Sequence, residues 1–398
     1  MSAGLRVLSL STLYPHDQAP NFGVFVARQM EAVARRGDID LTLVSPLGLP
    51  PAPLSLHPRY RPLRDLPAEE TRSGVHVLRP RFTLIPGIGA GRNAAAIVRV
   101  VLPLVQRLHR AEPFDLVDAQ FFHPDGAAAV EIARALGLPV SIKARGADIH
   151  HWGHDPATRD QVRAAGQAAE GLLAVSAGLA EEMAALGMPR EKIVLHRTGL
   201  DADRFRPLDR RMCRDALALP RSVPVLASVG ALIPRKGQRF AIDALAHVPD
   251  AILVLAGTGA DEAMLRAAAI RQGLASRVIF LGSVPHADLP VLLNAADVFV
   301  LPTESEGLAN AWVEALACGT PVVTTPIPGA QELLTDPAWG AMVPRDGQAI
   351  AAAVRAILAQ PPAPETVAQA VAGMSWEANA AALVEHWRRL ADAGADRA

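Results

Sequence analysis

Short apolar runs alternate along this chain with longer stretches whose apolar positions recur every three or four residues. Leu5–Ser11 reads as a strand, Thr12–Val24 as a turn-rich loop holding Pro15, Pro20 and Gly23, and Phe25–Arg36 as a helix stopped by Gly37. A second strand follows at Ile39–Ser45, and further strands are predicted at Asp115–Ala119, Pro139–Ala144 and Gly171–Ser176. Strand, loop, helix and strand in this order build a parallel α/β sheet. The rhythm restarts at Val225–Val229, after a stretch from Arg206 to Pro224 rich in arginine and proline. It continues through strands at Ala251–Ala256, Arg277–Leu281 and Asp297–Pro302, a helix at Ala309–Ala317 stopped by Gly319 and Pro321, and a buried strand at Pro321–Thr325. The pattern predicts one domain over residues 1–205 and a second over 206–375, with a last helix opening at Ser375-Trp376-Glu377 within residues 376–398.

A chain of 398 residues, half of them apolar, has room for two domains with sizeable cores. A net charge of −1 carries no global signature of nucleic-acid binding. The two cysteines, Cys213 and Cys318, have no metal-ligand spacing and exclude a disulfide framework, which fits a reducing cytosol. The N-terminal apolar run, Leu5 to Leu13, is too short and serine-broken for a signal peptide, and no uninterrupted run reaches membrane-spanning length. Any membrane contact is therefore expected to be peripheral. Charge is unbalanced in one place, His57–Arg110, where ten arginines face Asp65, Glu69 and Glu70. Inside it Ala94–Arg110 has the pattern of an amphipathic helix with Arg99, Arg107 and Arg110. Such a helix is either a solvated face or a dock for an anionic membrane.

In parallel α/β sheets ligands gather at the carboxyl ends of the strands, so the loops there carry the candidate chemistry. The fullest is Thr303–Thr325. Glu306 stands in a turn with Gly307, and Glu314 follows at E-x7-E spacing inside the helix. The helix start at Leu308–Asn310 offers free backbone N–H groups, which attract phosphate. A carboxylate accepts paired sugar hydroxyls. Together they suit a sugar nucleotide. In Gly230–Gln238, Lys236 points a compact cation at the same rim, beside Arg235. Gly23 lets backbone approach a ligand or serves as a plain turn glycine. His123 lies in Gln120–Gly126, and Arg145 and Asp148 in the loop after Ala144. His150, His151 and His154 form a tight group, but no carboxylate or cysteine completes a ligand set and Gly153 breaks any helical face, so no metal site is expected. Gly257-Thr258-Gly259 is a poor dinucleotide fingerprint, lacking the later glycine and the acidic residue.

The string from Glu306-Gly307-Leu308 through Glu314-Ala315-Leu316-Ala317 to Cys318-Gly319-Thr320-Pro321-Val322 resembles the signature of retaining glycosyltransferases of family 4, the group 1 glycosyl transferases. YPHDQAPNFGVFVARQMEAVARRG, AQFFHPDGAAA, SIKARGADI and the segment 174–207 resemble the same family, so the likeness covers nearly the whole chain. It implies the GT-B fold, two Rossmann-like doubly wound α/β domains with an interdomain cleft, and a last helix crossing back onto the first domain. It implies transfer of a sugar from a nucleotide diphosphate to an acceptor hydroxyl with retention, in bacterial polysaccharide or glycolipid assembly, without metal or cofactor. The departing phosphate takes the acceptor proton. In this likeness the Gly23 loop, Lys236 and the helix start at Gly307, Leu308, Ala309 and Asn310 meet the diphosphate, and backbone near Val284 holds the base. Glu314 takes the ribose hydroxyls, Glu306 those of the transferred sugar, and His123 sits near the reacting sugar. Arg145 and Asp148 line the acceptor side, and the acceptor is a saccharide or a lipid-linked saccharide, met in the cytoplasm or at the inner face of the membrane. Two positions depart: Ala231 replaces the family's arginine, for which Arg235 is expected to compensate, and Thr198 replaces its asparagine. The alternatives are an epimerase or phosphorylase on the same fold, a non-catalytic sugar-nucleotide-binding subunit, and a nicotinamide dehydrogenase.

Overall fold

The computed structural model describes residues 4–85 and 89–395. Residues 1–3 of the predicted first domain, 86–88 of the basic stretch and 396–398 of the last helix lie outside the described residues. The chain divides into two compact units, Met1–Gly199 with Trp376–Ala398, and Leu200–Ser375. The first division falls before the 205/206 boundary expected from the arginine–proline stretch. The reason is that the residues between already bind the second unit. Phe205 is buried with its ring 5.2 Å from that of His286. The backbone N–H of Leu208 donates to Asn294 Oδ1 at 2.7 Å, and Asn294 Nδ2 donates to the Arg206 carbonyl at 3.1 Å.

The first unit is built on an eight-stranded sheet. Its strands lie in the order Ile193–Leu195, Gly171–Ala174, Val140–Ala144, Leu116–Ala119, Leu5–Leu10, Ile39–Val44, Val75–Leu78 and Glu69–Arg72. All neighbours are parallel except the last pair. Central strands of such a sheet are covered on both faces, which is why they read as continuous apolar runs. The helix Val24–Arg35 packs Met30 and Val33 on Val7, Leu41 and Leu43, in a core that also takes Leu383, Val384 and Trp387 of the last helix, Trp376–Ala395. The fully buried Trp387 donates from Nε1 to Asp118 Oδ1 at 3.0 Å, so this helix is tied to the middle of the sheet by a polar bond as well as by packing.

The second unit carries six parallel strands in the order Val278–Gly282, Ile252–Ala256, Val225–Val229, Val298–Leu301, Val322–Thr324 and Gly340–Met342. In chain order this is third, second, first, fourth, fifth, sixth, the doubly wound arrangement of Rossmann-like domains. Helices Gln238–Leu245 and Gly347–Ala359 bury Ile242, Leu245, Ile350 and Val354 against Leu253, Leu255, Val298 and Val300.

The basic stretch resolves into parts with different environments. The amphipathic pattern forms a helix, Asn93–Ala111, whose apolar stripe, Ile97, Val101 and Val105, is fully buried in the first unit. Arg99, Arg107 and Arg110 lie on its exposed side. The apolar side of this helix is therefore covered by protein, and the side left to solvent is the one that bears the arginines. Arg79, from the same stretch, is interior and donates to Glu70 Oε1 at 2.9 Å and to the Pro15 carbonyl at 2.8 Å. Among the described residues no helix is long and apolar enough to cross a membrane.

Candidate active site

In the second unit the winding reverses between Val225–Val229 and Val298–Leu301. Open α/β sheets bind ligands outside the carboxyl ends of the strands at such a point. The two loops that leave these ends are locked together by backbone. The Glu304 N–H donates to the Arg235 carbonyl at 2.8 Å, and Thr303 Oγ1 donates to the same oxygen at 3.2 Å. Gly237, at φ +74°, lies where any Cβ would overlap the Pro302 carbonyl, so the approach of the loops requires glycine there. Arg345, which sequence reasoning passed over, braces the same place: it donates to the Pro234 carbonyl at 2.8 Å and pairs with Glu304 at 3.1 Å.

This locking brings Glu306, Lys236 and Arg235 to one point. Glu306 Oε1 accepts from Lys236 Nζ at 2.5 Å and from Arg235 Nη1 at 2.8 Å. Burial pushes the Glu306 carboxyl up, but Lys236 and Arg235 together outweigh it and hold the group below the usual carboxylate range. Arg235 also donates to the Ser305 carbonyl, so the residue expected to replace a missing arginine is oriented by the glutamate turn itself. The Ala231 carbonyl, at the departure, accepts from Gln238 Nε2 at 3.0 Å.

The helix begins at Asn310, one residue later than expected, and runs to Ala317. Ala309 is its N-cap and supplies no side-chain acceptor, so the first-turn N–H groups have no side-chain cap. Gly307, Leu308 and Ala309 are buried, and Asn310 is partly exposed. Glu314, 4% exposed, accepts from His286 Nε2 at 2.5 Å. Burial raises the Glu314 carboxyl above its ordinary range, and the facing imidazole opposes that rise. His286 lies in the turn after strand Val278–Gly282, two residues beyond Val284, which is partly buried. Sequence reasoning missed His286. The signal was its place in the same strand-end turn as Val284.

The switch point of the first unit lies between Leu5–Leu10 and Leu116–Ala119, and its loops hold the remaining candidates. Gly23, at φ +66°, caps helix Val24–Arg35, and a Cβ there would overlap the Leu13 carbonyl. Its own loop demands glycine. His123 is buried, and its Nε2 faces the Ala90 carbonyl at 3.1 Å. That contact requires a proton on Nε2, which leaves Nδ1 as an acceptor; among the described residues it has no hydrogen-bond partner. Burial lowers the His123 pKa and keeps the ring neutral. Asp148 differs from expectation. Its Oδ1 accepts from the backbone N–H of Arg145 at 2.9 Å and of Gly146 at 2.8 Å, and its Oδ2 from that of Phe122 at 3.1 Å. It braces two loops rather than presenting a carboxylate. Arg145 likewise turns inward, donating to the Gln120 carbonyl at 2.9 Å and to Gln120 Oε1 at 2.5 Å. Of the three histidines after it, His150 and His154 share Glu182, at 2.6 Å and 3.3 Å.

Asp125 ties the two switch-point loops by accepting the Thr12 N–H at 2.9 Å, while its other oxygen is buried without a partner among the described residues. Burial pushes its pKa up to about 7. The folded state therefore holds a proton that the unfolded chain releases near the ordinary pKa of 3.8. The stabilisation this gives is full below that value and is lost as pH rises towards 7. Asp125→Asn removes the titration, so its melting temperature relative to wild type should rise between pH 4 and pH 8, by several degrees in scanning calorimetry.

Comparison with known proteins agrees with this geometry. Residues 22–204 match the family model for glycosyltransferase family 4, and residues 209–374 that for glycosyl transferases group 1. TuaC of Bacillus subtilis, a glycosyltransferase assigned to teichuronic acid biosynthesis, is 29% identical over 360 residues, 88% of each chain. Sucrose-phosphate synthase of Thermosynechococcus elongatus superposes with a TM-score of 0.80 at 22% identity, over 98% of this chain and 100% of that one. The Anabaena protein HepE, crystallised with UDP-glucose, superposes with a TM-score of 0.65 at 20% identity over 99% of both chains. The two family models match one half of the chain each: the chain belongs to glycosyltransferase family 4, the group 1 glycosyl transferases, with the GT-B fold.

Proposed function

We propose that the protein transfers a sugar, with retention of anomeric configuration and without a metal ion, from a nucleoside diphosphate sugar to a saccharide or lipid-linked saccharide in cell-envelope polysaccharide or glycolipid assembly. The observation that carries this reading is the junction of Glu306 with Lys236 and Arg235 beside an uncapped helix start. Breaking the bond from the anomeric carbon to the phosphate oxygen leaves a diphosphate with an extra negative charge. Two cations and open amides held in place before the reaction stabilise that charge without reorganisation. The acceptor oxygen bonds to the anomeric carbon, and its proton leaves with the departing phosphate, so no side chain is assigned as a base. Glu306 orients the transferred sugar, Glu314 takes the ribose, and His123 offers Nδ1 to a hydroxyl in the first unit.

A thermal-shift panel of UDP-, GDP- and ADP-sugars tests the donor assignment, since a ligand that binds only the folded state raises the melting temperature by mass action. A UDP-sugar is the first to try, because HepE of the same fold was crystallised with one. No shift with any of them at millimolar concentration would reject the reading. Labelled donor incubated without acceptor separates an epimerase, which returns an isomerised nucleotide sugar, from a transferase.

Glu314→Ala should lower kcat/KM at least about tenfold through the donor KM, the effect of one lost charged hydrogen bond. His286→Ala should act in the same direction but less. Its defect should deepen towards acid pH, because without the imidazole nothing opposes the burial that favours the protonated carboxyl. A pH-independent His286→Ala profile would detach His286 from Glu314.

A further inference from the structure

After strand Ile39–Val44 the first unit makes an excursion before helix Asn93–Ala111. The excursion contains a two-stranded sheet, Leu47–Leu49 with Arg81–Thr83, and short helical turns at Leu54–Leu56 and Arg61–Arg64. Between it and loop 12–22 lies a cavity of about 770 Å³. That is the size of a small-molecule site. Its walls are mostly apolar and include Leu47, Leu63, Phe82, Leu84, Phe22 and Pro124. Pro124 follows His123, and Thr12 also lines the cavity, so it opens at the switch-point loops.

Two further observations bear on what fills it. His16 lines the cavity, is 7% exposed, and its Nδ1 has no hydrogen-bond partner among the described residues. A buried polar atom without a partner in a folded chain calls for an explanation, and a ligand hydroxyl supplies one. The apolar surface also continues outside. Phe22 is 47% exposed, Leu54 47%, Leu56 65% and Ile85 45%. The Leu54–Leu56 turn packs on the Arg61–Arg64 turn that supplies Leu63, and Ile85 follows Leu84. Exposed apolar side chains on the elements that line an apolar cavity mark an interaction site. A saccharide alone would leave this track uncovered, and an aromatic group would end inside the cavity. A long chain covers both.

Resting on the acceptor-binding reading of the first unit, we infer that this cavity and the track leading from it hold the hydrocarbon chain of a lipid-linked saccharide acceptor, with His16 receiving a hydroxyl of its head. The membrane-facing element is then the excursion, not the basic helix whose apolar stripe is buried.

The test uses the intact protein and octyl β-D-glucoside carrying a diazirine at the chain end, below its micelle concentration. Photolabelling should fall in peptides spanning residues 12–22, 46–63 or 82–93, and unlabelled octyl glucoside should compete. By calorimetry octyl glucoside should bind at least about tenfold more tightly than methyl glucoside, from burial of the chain. Leu63→Trp, which fills the cavity, should erase that advantage while the UDP-sugar thermal shift stays unchanged. Label confined to other peptides, or equal affinity of the two glucosides, overturns the inference. If Leu63→Trp does not fold, labelling of the wild-type chain decides alone. Failure of the transferase reading registers separately, as absence of any nucleotide-sugar shift while the label remains in the cavity.

Discussion

Glu306→Gln is expected to lower kcat by about 10²–10³-fold, the scale of removing one preorganised electrostatic group, while UDP binds more tightly than it does to the wild-type chain. The opposite signs follow from the ion pairs. Without donor, Lys236 at 2.5 Å and Arg235 at 2.8 Å are both engaged by Glu306 Oε1. An arriving diphosphate must share these cations with a carboxylate that they themselves keep ionised. Glutamine is nearly isosteric and uncharged, so the cations turn wholly to the phosphates. The transferred sugar loses a charge-assisted partner where positive charge develops at the anomeric carbon, and the rate falls. Calorimetry with UDP beside steady-state kinetics measures both effects. Weaker UDP binding together with a normal kcat would remove Glu306 from the sugar.

Lys236→Ala should cost about 10²–10³-fold in kcat/KM and abolish the UDP thermal shift. Arg235 remains, but with its guanidinium shared among the phosphates, Glu306 and the Ser305 carbonyl one cation does not replace two. Lys236→Arg should restore only part of the loss. A guanidinium is a planar fork and does not set its charge where the compact ammonium of Lys236 meets Glu306. Full activity in Lys236→Arg would show that net charge alone matters there.

Much of this site was legible along the chain because its elements are local. Glu306, Gly307 and Glu314 fall in one loop and helix, and Lys236 follows one strand, so apolar runs and stop signals were enough to place them. The partners were not legible. His286 meets Glu314 from a separate turn, and Arg345 reaches the Lys236 loop from far along the chain, through contacts that exist only once the sheet is formed. Asp148 misled for the opposite reason: a carboxylate at a strand end looks available until the backbone N–H groups that fill it are known. The helix at Asn93–Ala111 was legible as amphipathic, but no pattern says whether an apolar stripe meets protein or lipid. The boundary at Gly199 carried no compositional mark, because what assigns the next residues to the second unit is Asn294.

A Cβ on Gly199 would overlap the indole of Trp376, so the residue before Leu200 and the residue after Ser375 are neighbours within the first unit. The chain departs and returns through a single doorway. Residues 200–375 are thus a cassette, and splicing Gly199 to Trp376 through a short glycine–serine bridge should release the remainder as a miniature protein whose sheet keeps its closing helix and the Trp387–Asp118 bond.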